Sequence, residues 1–206
     1  GWHDSQIYKI RFSKELELDI DYILKWNKPD LEGLPFTFWV VPATLVFKEV
    51  KNIEFEIDAA TFSEIEIQDI EREVKNGIQF WTIITRQGDF QFESSGYVQF
   101  IRQEPFHQFG QTISYQERNG YSLEQTTNQD NPNRIRKDIV EQREKNLEHY
   151  EIVKKRHLKN QEKLKLEEQW STRQIEPKEY LKKKREIKEK IEYYDYLLKD
   201  TIFENW

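Results

Sequence analysis

In the stretch LELDIDYILKW, residues 16–26, acidic side chains recur at every second position: Glu17, Asp19 and Asp21, with Glu15 just before them. Carboxylates serve as general acids, general bases and ligands for hard cations, so a row of them raises a catalytic or metal reading. A catalytic pair needs one carboxyl with a raised pKa, commonly from burial, and a metal site needs ligands that converge on one ion. In a β-strand these four acids share one face at steps of about 6.6–6.8 Å, with Leu16, Leu18, Ile20 and Tyr22 on the other. A row on an open face converges on nothing. The pattern therefore predicts a solvated strand face first, an acidic docking surface second, and a metal or catalytic site last. Glu54, Glu56 and Asp58 repeat the alternation in IEFEID, and two such strands side by side need Lys or Arg opposite them, or a basic ligand. These seven acids form the expected partner-binding face.

Other chemistry-bearing residues are read in the same way. Trp2-His3-Asp4-Ser5 holds acid, base and nucleophile types, but neighbours on an extended chain point in opposite directions and cannot form a local triad. A hydrolase would need His3 and Asp21 to meet through the fold, and the plain reading is a terminal segment tucked against a sheet. His149 and His157 lie eight apart, not at the spacing of four that helical ligand pairs prefer, and read as surface residues of a basic helix. Lys154-Lys155-Arg156 and Lys182-Lys183-Lys184-Arg185 carry the charge needed for phosphate contacts. Their interleaving with Glu186, Glu189 and Glu192 fits a solvated helix face laced with i to i+4 pairs more simply, so nucleic acid is the secondary expectation. No Gly-rich phosphate loop, HExxH or GxSxG occurs, and no cofactor is implied.

The elements that must position these residues fall into two grammars. Thirteen Phe, ten Tyr and six Trp make a 14% aromatic share, enough to build a core despite a 34% charged fraction. Most of them, with most Ile and Val, precede residue 125. Over residues 6–123 the pattern has period two with turn punctuation, as in QIYKIRF, FTFWVVPATLVF, IQFWTIIT and DFQFESSGYVQFIR. QIYKIRF places Ile7, Lys9 and Arg11 on one face and Tyr8, Ile10 and Phe12 on the other. Gln87-Gly88-Asp89 reads as a hairpin turn, Asn76-Gly77 as another, and Gly96 as a bulge. SEIEIQDIEREVKNG is ambiguous between a strand that loses its period and a short helix, with strand favoured.

Beyond a polar linker at residues 127–132 the sequence becomes charged and helix-favouring, with Asn131-Pro132 as an N-cap signal and Pro177 as the one interruption. Helices are expected over about residues 133–170 and 177–202. At 1.5 Å per residue the first spans roughly 57 Å. Its apolar positions are Ile135, Ile139, Leu147, Tyr150, Val153, Leu158 and Leu164, a thin stripe. Residues 1–132 hold 12 Lys+Arg against 22 Asp+Glu, a balance of -10, and residues 133–206 hold 20 against 16, a balance of +4. An acidic domain of this kind attracts basic surfaces, less so at high salt.

The absence of Cys excludes disulfides, Cys-ligated zinc and a thiol nucleophile. No apolar run reaches the roughly 18 residues of a membrane helix, and GWHDSQIYKI lacks the regions of a signal peptide, so a cytoplasmic protein is expected. Gly1 in place of an initiator Met reads as a remnant ahead of the native start.

The blocks WHDSQIYKIRF, LELDIDYILKW, FTFWVVPATLVF, SSGYVQFIRQEP and QTISYQERNGYSL together resemble a family of small bacterial β-rich proteins of uncharacterised function. The resemblance covers roughly residues 2–123. It implies a single β-rich domain opening with a WHDS segment and closing near an ER-x-G segment, matched by Glu117, Arg118 and Gly120, with Asn119 where another glycine is expected. It brings no catalytic residues with it, and residues 133–206 lie outside it.

These readings converge on an α+β protein: an antiparallel β-sandwich or strongly curved sheet of about eight strands over residues 1–126, followed by a charged α-helical hairpin. The expected role is a non-enzymatic module, immunity-like or inhibitory, that docks a basic protein partner through its acidic strand face. The hairpin serves assembly, including homodimerisation. Nucleic-acid binding through the hairpin and an unrecognised hydrolase are the alternatives.

Overall fold

A computed structural model describes residues 1–57, 65–130 and 137–206. The chain divides into two compact units, Gly1–Asp30 with Pro35–Val140 and Leu31–Leu34 with Glu141–Trp206. In the first unit the strands are β1 Gln6–Phe12, β2 Leu16–Asn27, β3 Thr37–Lys48, β4 Lys51–Ile57, β5 Ile65–Lys75, β6 Ile78–Thr85, β7 Gly88–Ser94, β8 Gly96–Ile101 and β9 Phe106–Gln108. They form one open antiparallel sheet in the order β4-β7-β6-β5-β1-β2-β3-β8, with β9 also on β3. The α+β class is as the sequence predicts, with nine strands among the described residues.

The sheet curves enough for its two halves to enclose a core. Phe47 on β3 packs edge-on against Trp81 of β6 and Phe92 of β7, with ring centroids 4.9 and 4.8 Å apart. Leu16, Leu18 and Ile20 of β2 join Leu45 and Phe47 of β3 and Ile83 and Phe90 of the other half in that core. A second cluster of Ile23, Phe38, Val40, Phe106 and Ile113 closes one end.

Two irregularities explain where a strict period of two misleads. The β1–β2 register shifts between Ile7 and Lys9, so Ile7 is buried in the core and Ile10 packs against it, while Lys9 and Arg11 stand opposite Asp19 and Glu17. The face assignment for QIYKIRF is corrected accordingly: one extra residue at a bulge inverts the alternation. A similar shift between Ile67 and Asp69 turns both Ile67 and Ile70 toward the core. That is why SEIEIQDIEREVKNG loses its period while its residues 65–75 remain a strand. Asn76 and Gly77, with φ of 53° and 79°, make the β5–β6 turn. Gly96 is not a bulge; it opens β8 where the chain leaves the β6–β7 ladder and pairs with Lys48 of β3.

The second unit contains α1 Lys137–Ser171 from Glu141 onward and α2 Pro177–Leu198. Tyr150, Val153, Leu166, Tyr180 and Leu198 are buried, whereas Leu158 and Leu164 of the expected stripe are exposed. The second helix stops at Leu198 and not near residue 202. Asp200 takes a φ of 60°, and the chain turns so that Phe203 is fully buried, 6.3 Å from the His149 ring.

Gly88 shows a backbone constraint on the β4–β7 pair. Its φ is 133°, and a Cβ there would lie 1.8 Å from the Glu56 carbonyl oxygen. Gly88→Ala is expected to cost about 2–4 kcal/mol, since strand β4 must move or the turn must rearrange. Urea unfolding of the variant against the parent protein checks this, and an unchanged midpoint would rule it out.

Candidate functional site

The acid row is buried, which corrects the solvated strand face expected for it. Asp19 and Asp21 have no exposed surface and Glu17 is 4% exposed. Their leucine-bearing neighbours face the core, and the acidic face is covered by residues 110–127, a strap lacking strand or helix apart from a short 3-10 turn at Asn128–Asp130 just beyond it. Hydrophobic alternation along β2 sets the leucine side inward; the strap covers the other side because it brings complementary groups.

Asp19 lies between two arginines. One of its oxygens accepts from Arg102 and Arg118, and the other from the Ser122 amide at 2.9 Å. Arg102 also donates to the Ser122 carbonyl at 2.5 Å. One carboxylate oxygen of Asp21 accepts from the Tyr8 hydroxyl and the Ile113 amide, each at 2.7 Å, while the other lies 3.6 Å from Arg118. The Arg118 guanidinium stacks on the Tyr8 ring, 3.9 Å from its centroid, and Tyr8 stacks on Tyr121. Two carboxyl groups and two guanidinium ions thus form a buried quartet. Further contacts fix both ends of the strap: Gln111 donates to Asp4, Gln103 to the Arg118 carbonyl, Thr44 to the Glu124 carbonyl and Gln125 to Glu17.

Burial pushes the Asp19 carboxyl upward, while the Arg118 and Arg102 charges and the Ser122 amide favour its ionised form. Three donors on one carboxylate leave it as the anion between the two cations. Asp21 is pushed up by burial, and the Arg118 charge, the Ile113 amide and the Tyr8 hydroxyl oppose the rise. Nearer the surface, the hydrogen bond from Arg11 holds Glu17 below the usual carboxylate range. Lys48 pairs with the half-buried Glu15 at 2.7 Å. The neighbouring strands β1 and β3 thus supply Arg11 and Lys48 to Glu17 and Glu15 within the same chain.

Glu54 and Glu56 lie elsewhere. Strand β4 pairs with β7, far from β2 in the strand order, and both acids are exposed. Asp58 lies outside the described residues. Cross-strand register places further acids on the same face: Glu54 opposite Gln91, Gln91 opposite Thr82 and Thr82 opposite Glu71; Glu56 opposite Asp89, then Ile84 and Asp69; Lys51 opposite Glu93, then Phe80 and Glu73. Seven carboxylates thus share this outer face with Lys51 and Lys75. They flank a β6 stripe of Ile78, Phe80, Thr82 and Ile84. Asp69, Glu71 and Glu73 were missed as site residues because their segment could be read as helix or strand, and only its alternation pointed to one face.

The remaining candidates separate. His3 is bonded to Asp4 at 2.8 Å, and Asp21 is bonded to Tyr8 and Ile113, so the His3–Asp21 pair needed by a hydrolase does not form. His149 and His157 are half-buried and not fully on the surface as expected; His157 contacts the Glu32 carbonyl at 2.7 Å. Arg156 is removed from the phosphate-binding set: it is 7% exposed and donates to Asp195 and to the Phe203 and Glu204 carbonyls. Lys154, Lys183, Lys184 and Arg185 are ion-paired with Glu151, Glu179, Glu167 and Glu189. Lys155 and Lys182 are exposed.

Two measurements test the quartet. Asp19→Asn leaves two buried guanidinium ions without their shared anion and should cost about 3–5 kcal/mol in urea unfolding at neutral pH; a loss below about 1 kcal/mol would contradict the ion-pair assignment. For Asp21 the sign of the pH effect follows from its raised carboxyl: the folded protein retains a proton that the unfolded chain releases near pH 3.9, so stability from this group falls as pH rises from about 3.9 through the folded value. Asp21→Asn keeps an acceptor for Tyr8 and the Ile113 amide but does not titrate. The stability of the parent protein relative to this variant should therefore decline as the pH rises above about 4, and parallel pH profiles would refute the assignment.

No protein-family model matches the chain, and no curated protein matches it. Among solved structures the chain is similar to one described as "Crystal structure of an uncharacterized protein from Neisseria gonorrhoeae", at 14% identity over 48% of this chain and 92% of that one, with a TM-score of 0.32. A likeness of that size assigns neither a fold nor a function. No helix among the described residues is long and apolar enough to cross a membrane.

Proposed function

We propose that this chain is a non-enzymatic protein-binding module, of an immunity-like or inhibitory kind, that docks a basic partner on the outer face of β4, β7, β6 and β5. The observation that carries this reading is the concentration of seven carboxylates against two lysines on one sheet face, around the Ile78, Phe80, Thr82 and Ile84 stripe. Acids on a twisted sheet face repel one another, and a cationic surface laid over them relieves that repulsion while the stripe contributes apolar contact. The β2 acids take no part in it, since their charge is matched internally. In the same reading the helical hairpin is the assembly element, supported by the exposure of Leu158, Leu164, Leu181 and Tyr196 along its helices. The resemblance to the small bacterial β-rich family is compatible with this role and adds no chemistry to it.

The reading is tested by titrating a panel of small basic proteins against the parent chain and a Glu54→Lys, Glu71→Lys, Glu73→Lys variant, with light scattering on the same samples. Affinity should fall with ionic strength, and charge reversal should weaken binding by about tenfold or more at low salt. Binding indifferent to both salt and reversal would sink the electrostatic face. A monomer at all concentrations would remove the assembly role of the hairpin.

A further inference from the structure

The joint between β5 and β1 is short. Gln6 pairs with Glu66 and Ile7 with Ile65, and the Ile67 amide and carbonyl reach Ser5 and Asp4 at 2.9 and 2.8 Å. Past that point the two strands part. Residues 69–75 continue paired to β6 along one side, and among the described residues no strand lies along their other side. Six steps of a strand give an open edge of about 20 Å. Side chains along residues 71–75 are exposed, Val74 at 59%. Long open edges in folded proteins are normally covered, kept short or interrupted by bulges, because their free amides and carbonyls accept another strand.

The side chains along this edge specify which strand fits. Asp69, Glu71 and Glu73 project to the acidic outer face. On the other face are Ile70, packed against the core, Arg72, 5.6 Å from the Trp81 ring centroid, and the exposed Val74. An added strand sets alternate side chains beside each of these rows. Cations fit beside the three acids, and apolar residues fit beside Ile70 and Val74. A second copy of the chain fits poorly, because it brings the same excess of carboxylates to the pairing.

We propose that the open edge of β5, residues 69–75, is a strand-addition site for an extended partner segment in which Lys or Arg alternates with an apolar residue. This rests on the reading of the chain as a binder of basic partners and specifies how such a partner attaches. Main-chain hydrogen bonds to the edge supply register, and the alternating side chains supply selectivity.

The test uses a synthetic peptide of four Lys-Val repeats, blocked at both ends, titrated into the full chain and followed by fluorescence anisotropy and by amide NMR. Its comparison peptides are Glu-Val repeats and two Lys-Val analogues, one N-methylated at every Lys and the other at every Val. Only one alternating set of amides in an added strand faces β5, so one analogue should lose at least about tenfold in affinity while the other keeps most of it. Amide shifts and slowed exchange should centre on residues 69–75, and the Glu-Val peptide should not bind. If both methylated analogues bind like the parent peptide and Glu71→Lys weakens all three, the partner lies on the acidic face without joining the sheet; strand addition is then wrong and the basic-partner reading stands. If Lys-Val binds no better than Glu-Val, both readings fail.

Discussion

Asp19 held between Arg102 and Arg118 is the constraint on which the β-unit depends. The sheet places leucines of β2 in the core, and its other face would be open without the irregular strap of residues 110–127. That strap has no ladder of its own, so its backbone groups need side-chain partners. Asp19 and Asp21 supply them by accepting from the Ser122 and Ile113 amides, and the two arginines compensate the buried charge of Asp19. A buried ion pair is not in itself a strong source of stability, because desolvation offsets much of the attraction. Its effect here is specificity: the quartet is satisfied in one register of strap on sheet, and a slip of one residue would leave buried charges unmatched.

Two rows of alternating acids in one chain thus have opposite fates. On β2 the carboxylates are drawn inward by arginines from the end of β8 and from the strap. On β4, β5 and β7 the carboxylates stand opposite mostly uncharged residues of the ladder, Gln91, Thr82, Ile84 and Phe80, and they remain at or near the surface. The difference lies in what stands opposite, not in the acids themselves. The excess of negative charge on the second face is the feature on which the proposed docking of a basic partner rests, and among the described residues the parting of β5 from β1 leaves a backbone edge in the same region with no strand beside it.

The helical unit rests on a different balance. With few buried side chains on either helix, its order draws on pairs such as Lys183–Glu179 and on Arg156, which collects the Phe203, Glu204 and Trp206 carbonyls and Asp195. Exposed i to i+4 pairs contribute only about 0.3–0.5 kcal/mol each, so Arg156 and the buried Phe203 do more to fix the turn after α2. Cations engaged in this way are less available to phosphates than a count of Lys and Arg suggests.

Much of the architecture was legible in the residues alone. Period two marked the strands, Asn76-Gly77 a hairpin turn and Pro177 the start of α2, because each of these reports a local backbone preference. Bulges at Tyr8 and Gln68 were not legible, since a one-residue insertion in a ladder depends on the partner strand. Nor was the end of α2, where Phe203 finds a burial site against α1 that no local signal announces. Alternation along LELDIDYILKW determined that Glu17, Asp19 and Asp21 share a face. Whether that face met water or protein was decided by Arg102, Arg118 and Ser122, 83 to 103 residues further along the chain, because burial of a charge depends on the distant groups that arrive to compensate it.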